Sequence, residues 1–229
     1  MNQIVSTGII LNRINYQEAD RIITFLSPDY GKLRTIAKGV RKAKAKLAGS
    51  VELFSTANIT ILPSRGDLGI LISARLIKYY SKIVKDLDRT ELAYKVMKLV
   101  NKITEDSSGE EYFEIVNTTF ASLDNLAIPL DLVRLWVGLH LISTMGHAID
   151  LSTGRAGKLS ESSAYNFDFE KMHFYPEPRG VYSKDQIKLL RLISEHRPEQ
   201  IVRVDGYEQL LSGIDKLVSS VLLGHGLSV

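Results

Sequence analysis

The chain has 229 residues, 45% hydrophobic and 24% charged, enough to bury one sizeable core or two smaller ones. It contains no cysteine, which excludes disulfides, thiolate nucleophiles and zinc held by sulfur. Its 29 Lys and Arg nearly balance 26 Asp and Glu, yet seven cations fall between Gly31 and Val51 with no acidic residue among them, leaving 22 against 26 elsewhere.

The opening segment, MNQIVSTGIILNRINY, has no basic stretch ahead of an apolar run and meets Arg13 early, unlike a signal peptide. Five short strands are expected next, at Ser6 to Leu11, Arg21 to Leu26, Leu33 to Lys38, Ser55 to Leu62 and Leu68 to Leu76, all rich in Ile, Leu and Thr. Turn chemistry separates them at Ser27-Pro-Asp-Tyr-Gly31 and Pro63-Ser-Arg-Gly66-Asp67. Five strands without an intervening long helix predict a small closed or nearly closed antiparallel barrel.

The local positive charge sits on the third strand and just after it. Lys32, Arg34, Ile36 and Lys38 alternate with Leu33, Thr35 and Ala37, a pattern that places cations on one strand face. Arg41, Lys42, Lys44 and Lys46 follow, interleaved with alanines and flanked by Gly39 and Gly49, as suits a mobile loop closing over a polyanion. A solvated basic loop with no ligand is the alternative. Single-strand binding also needs aromatic faces for bases. Tyr16, Phe25, Tyr30 and Phe54 lie near; Phe25 and Phe54 fall in apolar patterns and read as core, whereas Tyr16 and Tyr30 sit in loops, free to stack.

From Asp86 the period becomes helical. Leu92, Ala93, Val96, Met97, Leu99, Val100 and Ile103 form one stripe opposite Glu91, Lys95, Lys98 and Lys102. Further helices are expected over Tyr112 to Leu126, Asp131 to Met145, Ser183 to Ser194 and from Gly206 onward, with the Trp136 helix apolar nearly all round and Gly146 placed to stop it. The uncharged run Leu135 to Ile149 is shorter than the roughly 18 to 20 residues that span a bilayer, so a cytoplasmic protein is expected. Leu151 to Gly180, rich in Ser, Gly, Pro and aromatics, reads as an irregular lobe. The organisation expected is α+β with two domains, a barrel over 1–80 and a helical domain over 81–229 that includes the 151–180 lobe.

No Walker loop, Rossmann glycine pattern, G-x-S-x-G or H-E-x-x-H occurs, and no enzyme is expected. His140 and His147 share a helix face without acidic ligands beside them, so no metal is expected there. Glu110-Glu111 and Asp86/Asp88 are the acidic pairs to which a magnesium nuclease would turn, but they lie at helix ends, where capping and solvation account for them.

The order of short motifs adds a resemblance. Gly8-Ile-Ile-Leu11, Tyr16-Gln-Glu-Ala-Asp-Arg-Ile22, Tyr30-Gly-Lys-Leu33, Ala37-Lys-Gly-Val-Arg41, Leu47-Ala-Gly-Ser50 and Glu52-Leu-Phe54 together resemble the N-terminal domain of the bacterial recombination mediator family RecO, and the helical remainder is similar in layout. The resemblance implies an oligonucleotide-binding (OB) barrel followed by a helical domain. It implies a non-enzymatic role in recombinational repair: binding single- and double-stranded DNA, annealing complementary strands and, with RecR, helping RecA load onto DNA coated by single-strand-binding protein (SSB). It also implies that the helical domain engages the acidic SSB tail. An adaptor that binds SSB with the barrel as mere scaffold is the alternative. Carried over to DNA contact are Lys32, Arg34, Lys38, Arg41, Lys42, Lys44 and Lys46, with Arg21 beside them and Asp20 as a turn residue or structural partner of Arg21. Many relatives carry a four-cysteine zinc module after the central helix. Here Gly154/Gly157 and Tyr175/Pro178 keep the spacing without ligands, so neither zinc nor another cofactor is expected, and Phe167, Phe169, Phe174 and Tyr175 are left to hold the lobe by packing.

Overall fold

A computed structural model describes residues 2–45, 47–104, 109–152, 159 and 164–229. The chain divides into two compact units, Met1–Asp124 and Asn125–Val229.

In the first unit, β1 (Ile4–Tyr16), β2 (Asp20–Ser27), β3 (Gly31–Ala37), β4 (Ser55–Leu62) and β5 (Leu68–Tyr79) close a barrel in the order β1-β2-β3-β5-β4. All neighbours are antiparallel except β3 and β5, which pair in parallel through Arg34↔Leu68 to Ile36↔Ile70. This is the five-stranded arrangement of an OB barrel. β1 and β5 outrun the sequence expectation, reaching Tyr16 and Tyr79, because ladder pairing continues past the buried stretch of each strand, as at Arg13↔Ile23 and Thr56↔Lys78. Ile10, Ile23, Phe25, Val51, Ile59, Ile61 and Leu71 fill the interior. Gly8 is required where it stands: a Cβ there would meet Ile59 Cδ1 at 2.9 Å and Phe25 Cδ1 at 3.0 Å.

Two helices belong to the same unit, α1 (Leu87–Ile103) and α2 (Glu110–Asp124). Asp86 starts α1 by accepting a hydrogen bond from the Arg89 amide at 3.0 Å. Phe54, at φ +59°, meets Tyr94 of α1 edge-on at 5.1 Å and Phe120 of α2 at 5.7 Å, while Tyr80 meets Phe120 at 5.5 Å. An aromatic cluster therefore fastens the helices to the strands.

The second unit packs α3 (Leu130–Thr144) against α6 (Tyr207–Gly224) and α4 (Lys184–Glu195), with a short α5 (Pro198–Ile201) between. Gly146, at φ +84°, ends the turn that stops α3. Ser183 and Gln186 form a reciprocal capping box at the start of α4. Trp136 Nε1 donates to the His196 carbonyl at 2.9 Å, tying the central helix to the α4–α5 junction.

The expected irregular lobe is more ordered than its composition suggests. Ala164–Asp168 (β6), His173–Pro176 (β7) and Tyr182–Ser183 (β8) form an antiparallel sheet in the order β7-β6-β8. Of the four aromatics expected to hold it, Phe167 and Phe174 are buried, whereas Phe169 and Tyr175 are exposed; Tyr165, wholly buried, and Tyr182, edge-on to Phe174 at 5.4 Å, complete the packing instead. Strand alternation turns Tyr165 and Phe167 of β6 and Phe174 of β7 inward and Tyr175 outward, while Phe169, past the end of β6, is exposed yet meets Phe167 edge-on at 5.0 Å. Gly154 and Gly157 lie outside the described residues.

Candidate nucleic-acid interface

The outward face of β3 carries Lys32, Arg34 and Ile36, while Thr35 and Ala37 are buried and Leu33 packs against the barrel core. The alternation in the sequence is thus the alternation of the strand. The Arg34 side chain is exposed and makes no hydrogen bond or ion pair among the described residues. Lys32 is committed elsewhere: its ammonium donates to the Asn101 carbonyl at 3.2 Å and the Thr104 carbonyl at 2.8 Å, the unpaired acceptors at the C-terminus of α1. Lys32→Ala is expected to lower the unfolding free energy by about 1–2 kcal/mol, allowing for its partial exposure. A urea titration that gave an unchanged midpoint would deny it that anchoring role.

Beyond β3 the chain turns at Gly39, whose φ of +63° suits glycine. This turn is anchored at its root. The Gly39 amide donates to Asp20 Oδ1 at 2.7 Å, the Arg41 amide donates to the Ala19 carbonyl at 2.9 Å, and the Val40 side chain is buried in the barrel core. Asp20, the first residue of β2, thus holds the Gly39 turn through that amide rather than pairing with the Arg21 guanidinium. These contacts bring the basic turn beside the β1–β2 turn, next to Tyr16. Lys38, Arg41, Lys42 and Lys44 are all exposed there, and among the described residues only Arg41 of the four makes a side-chain hydrogen bond, a long one of 3.5 Å to the Gln17 carbonyl. Lys46 lies outside the described residues.

Arg21 is tied into the barrel end. Its Nε donates to Asn15 Oδ1 at 3.1 Å and its Nη1 lies 4.0 Å from Glu52, which also pairs with Arg13. The charge of Arg21 is thus partly answered by a carboxylate, a pairing invisible in the sequence because Glu52 lies 31 residues downstream, beyond β3. Of the aromatics, Phe25 and Phe54 are buried, and Tyr16 and Tyr30 are 37% and 46% exposed, one at each end of the β3 face.

No comparable convergence marks the other candidates. His140 stacks on Trp136 at 3.9 Å, and burial holds its imidazole below the ordinary pKa against the opposing pull of the Trp136 carbonyl. His147 stacks on His225 instead of facing His140. Among the described residues no three His, Asp or Glu side chains stand together as a metal-ligand set. Asp86 is the cap of α1, and Glu110 and Glu111 occupy the first turn of α2. No helix among the described residues is long and apolar enough to cross a membrane.

Comparison with known proteins agrees with this geometry. Residues 1–80, which hold the whole barrel, match the family model described as "Recombination protein O N terminal". The chain is 25% identical to the DNA repair protein RecO of Listeria monocytogenes, with 93% of this chain and 86% of that protein covered. It is 26% identical to the protein of that name from Dehalococcoides mccartyi, over 91% and 85%. Against the protein of that name from Acetivibrio thermocellus it is 30% identical over 76% of this chain and 69% of the relative. With a closed barrel in OB order at its N-terminus, helices after it and relatives matched over most of their length, this chain belongs to the RecO family.

Proposed function

We propose that this protein acts in DNA repair as a non-enzymatic recombination mediator that binds single- and double-stranded DNA and anneals complementary strands. The observation that carries this reading is the exposed group Lys38, Arg41, Lys42 and Lys44 at one end of an OB barrel, with no carboxylate paired to any of the four among the described residues. Annealing requires a protein to neutralise two polyanions while leaving base edges free to pair, and exposed flexible cations without base readout do that. In this reading residues 1–80 are the DNA-binding domain, 81–229 the helical domain, and Arg34 extends the contact along β3. Lys32 and Arg21 shape the site, since both are engaged within the protein. In the same reading the protein assists RecA loading on SSB-coated DNA together with RecR, and its helical domain meets the acidic SSB tail in a cytoplasmic setting.

The test is annealing of two complementary oligonucleotides by wild type and a Lys42→Ala/Lys44→Ala/Lys46→Ala variant, with and without SSB. Faster annealing by wild type and its loss in the variant is the expected result. Failure of wild type to accelerate annealing at any salt would overturn the reading and leave an SSB-binding adaptor in its place.

A further inference from the structure

Two carboxylates, Glu18 and Asp20, stand at the β1–β2 turn beside the cations of the basic turn, and by charge alone both would oppose a polyanion. Their surroundings make them unequal. Glu18 is exposed, and its side chain makes no hydrogen bond or ion pair among the described residues. Asp20 is half-buried at a corner of the barrel wall: it faces Tyr16 in the last pair of the β1–β2 hairpin, and the β2–β3 ladder stops one residue on, at Arg21↔Ala37. Where that ladder stops, the Asp20 carboxylate continues it, because Oδ1 accepts from the Gly39 amide at 2.7 Å. The Gly39 carbonyl in turn accepts from the Lys42 amide at 3.1 Å, and the Lys42 carbonyl from the Ala45 amide at 3.0 Å. One side-chain bond thus sets the start of a run of turns that carries Arg41, Lys42 and Lys44.

We propose that Asp20 is a positioning residue for DNA binding: its carboxylate fixes the basic turn in the geometry that presents Arg41, Lys42 and Lys44 to phosphates, and so strengthens binding despite its negative charge. The inference rests on the DNA-binding reading. Two opposing magnitudes decide its sign. In water, one charge about a Debye length from a phosphate weakens binding by less than about twofold. A hydrogen bond to a charged acceptor shifts a local equilibrium by about tenfold or more, and a turn that is only fractionally in its binding geometry lowers affinity by that fraction. The Arg41 amide bond to the Ala19 carbonyl and the buried Val40 side chain retain part of the order when the carboxylate is removed. A net loss of about three- to tenfold is therefore expected. Asparagine keeps an acceptor oxygen without the charge, which separates geometry from electrostatics.

The experiment measures single-strand affinity by fluorescence anisotropy over a range of salt, and hydrogen exchange of the Gly39 amide by NMR, on the full chain and four variants. Asp20→Ala is expected to bind about three- to tenfold more weakly than wild type, with an unchanged slope of log K against log salt because no cation is removed, and with fast exchange at Gly39. Asp20→Asn is expected to keep Gly39 protected and to bind at least as tightly as wild type. Glu18→Gln, which removes a charge without an anchor, is expected to bind up to about twofold more tightly. Phe120→Leu, which loosens the fold away from the turn, is expected to bind as wild type does. Affinity must follow Gly39 protection across this set. Tighter binding by Asp20→Ala overturns the proposal and leaves Asp20 as one more unfavourable charge. A variant at position 20 that keeps Gly39 protected yet loses affinity overturns it too, as does an equal loss in Phe120→Leu, which would reduce the effect to general stability. Absence of single-strand binding by wild type overturns the DNA-binding reading itself, and the inference with it.

Discussion

Replacing Lys38, Arg41, Lys42 and Lys44 together with alanine is expected to remove most of the salt dependence of single-strand binding. If all four cations contact phosphates, each contributes about 0.7 to the slope of log K against log salt, close to 3 in total, and wild-type affinity falls about 50-fold between 50 and 200 mM salt. The variant should lose affinity at low salt and show a slope near zero from this turn. Its fold should survive, because all four side chains point to solvent and the anchors of the turn are the Gly39 and Arg41 backbone amides and the buried Val40 side chain. Fluorescence anisotropy with a labelled single strand at five salt concentrations measures it. A slope equal to wild type would place the phosphate contacts elsewhere on the protein.

Phe120→Ala is expected to be the most destabilising single change in the first unit. Phe120 is wholly buried and meets Phe54 and Tyr80 edge-on. Truncating a buried phenylalanine costs about 3–5 kcal/mol in lost transfer energy and cavity formation. An added effect follows from Phe54, whose left-handed backbone costs of the order of 1 kcal/mol and persists because Phe120 and Tyr94 hold its ring. The melting temperature should fall by roughly 10–15 °C, and Phe120→Leu should recover more than half of that. Below the transition the salt slope should match wild type. A melting temperature unchanged in Phe120→Ala would mean that the strands do not depend on α2 for their stability.

The two variants separate the parts of the barrel that hold it from the part that meets DNA. They also show why the helices after residue 80 matter to a domain whose family match ends there. The compact unit continues to Asp124 because α1 and α2 bury the aromatic cluster and because α1 offers its C-terminal carbonyls to Lys32.

Much of this was legible in the chain. Alternation of period two gave the strands, since a barrel wall buries one face and wets the other; Leu33, Thr35 and Ala37 inward and Arg34 outward is the plainest case. The amphipathic stripe of α1 gave that helix, and the absence of acidic residues from 31–51 gave the basic turn. These features are local, written in neighbours along the chain.

What tertiary structure decided is which charges are free. Lys32 and Arg34 are equivalent by sequence, yet the first is bound by a helix end some seventy residues away and the second is open, and Arg21 finds Glu52 across the barrel end. The small sheet at 164–183 was hidden because its strands are too short to show a period. The part played by Asp20 was hidden because its partner amide stands 19 residues away, and only two hairpins meeting at one corner of the barrel bring them together. Sequence thus determined the barrel strands, the long helices, the family and the location of positive charge, while side-chain pairing between distant segments decided which of those charges remain available to a ligand.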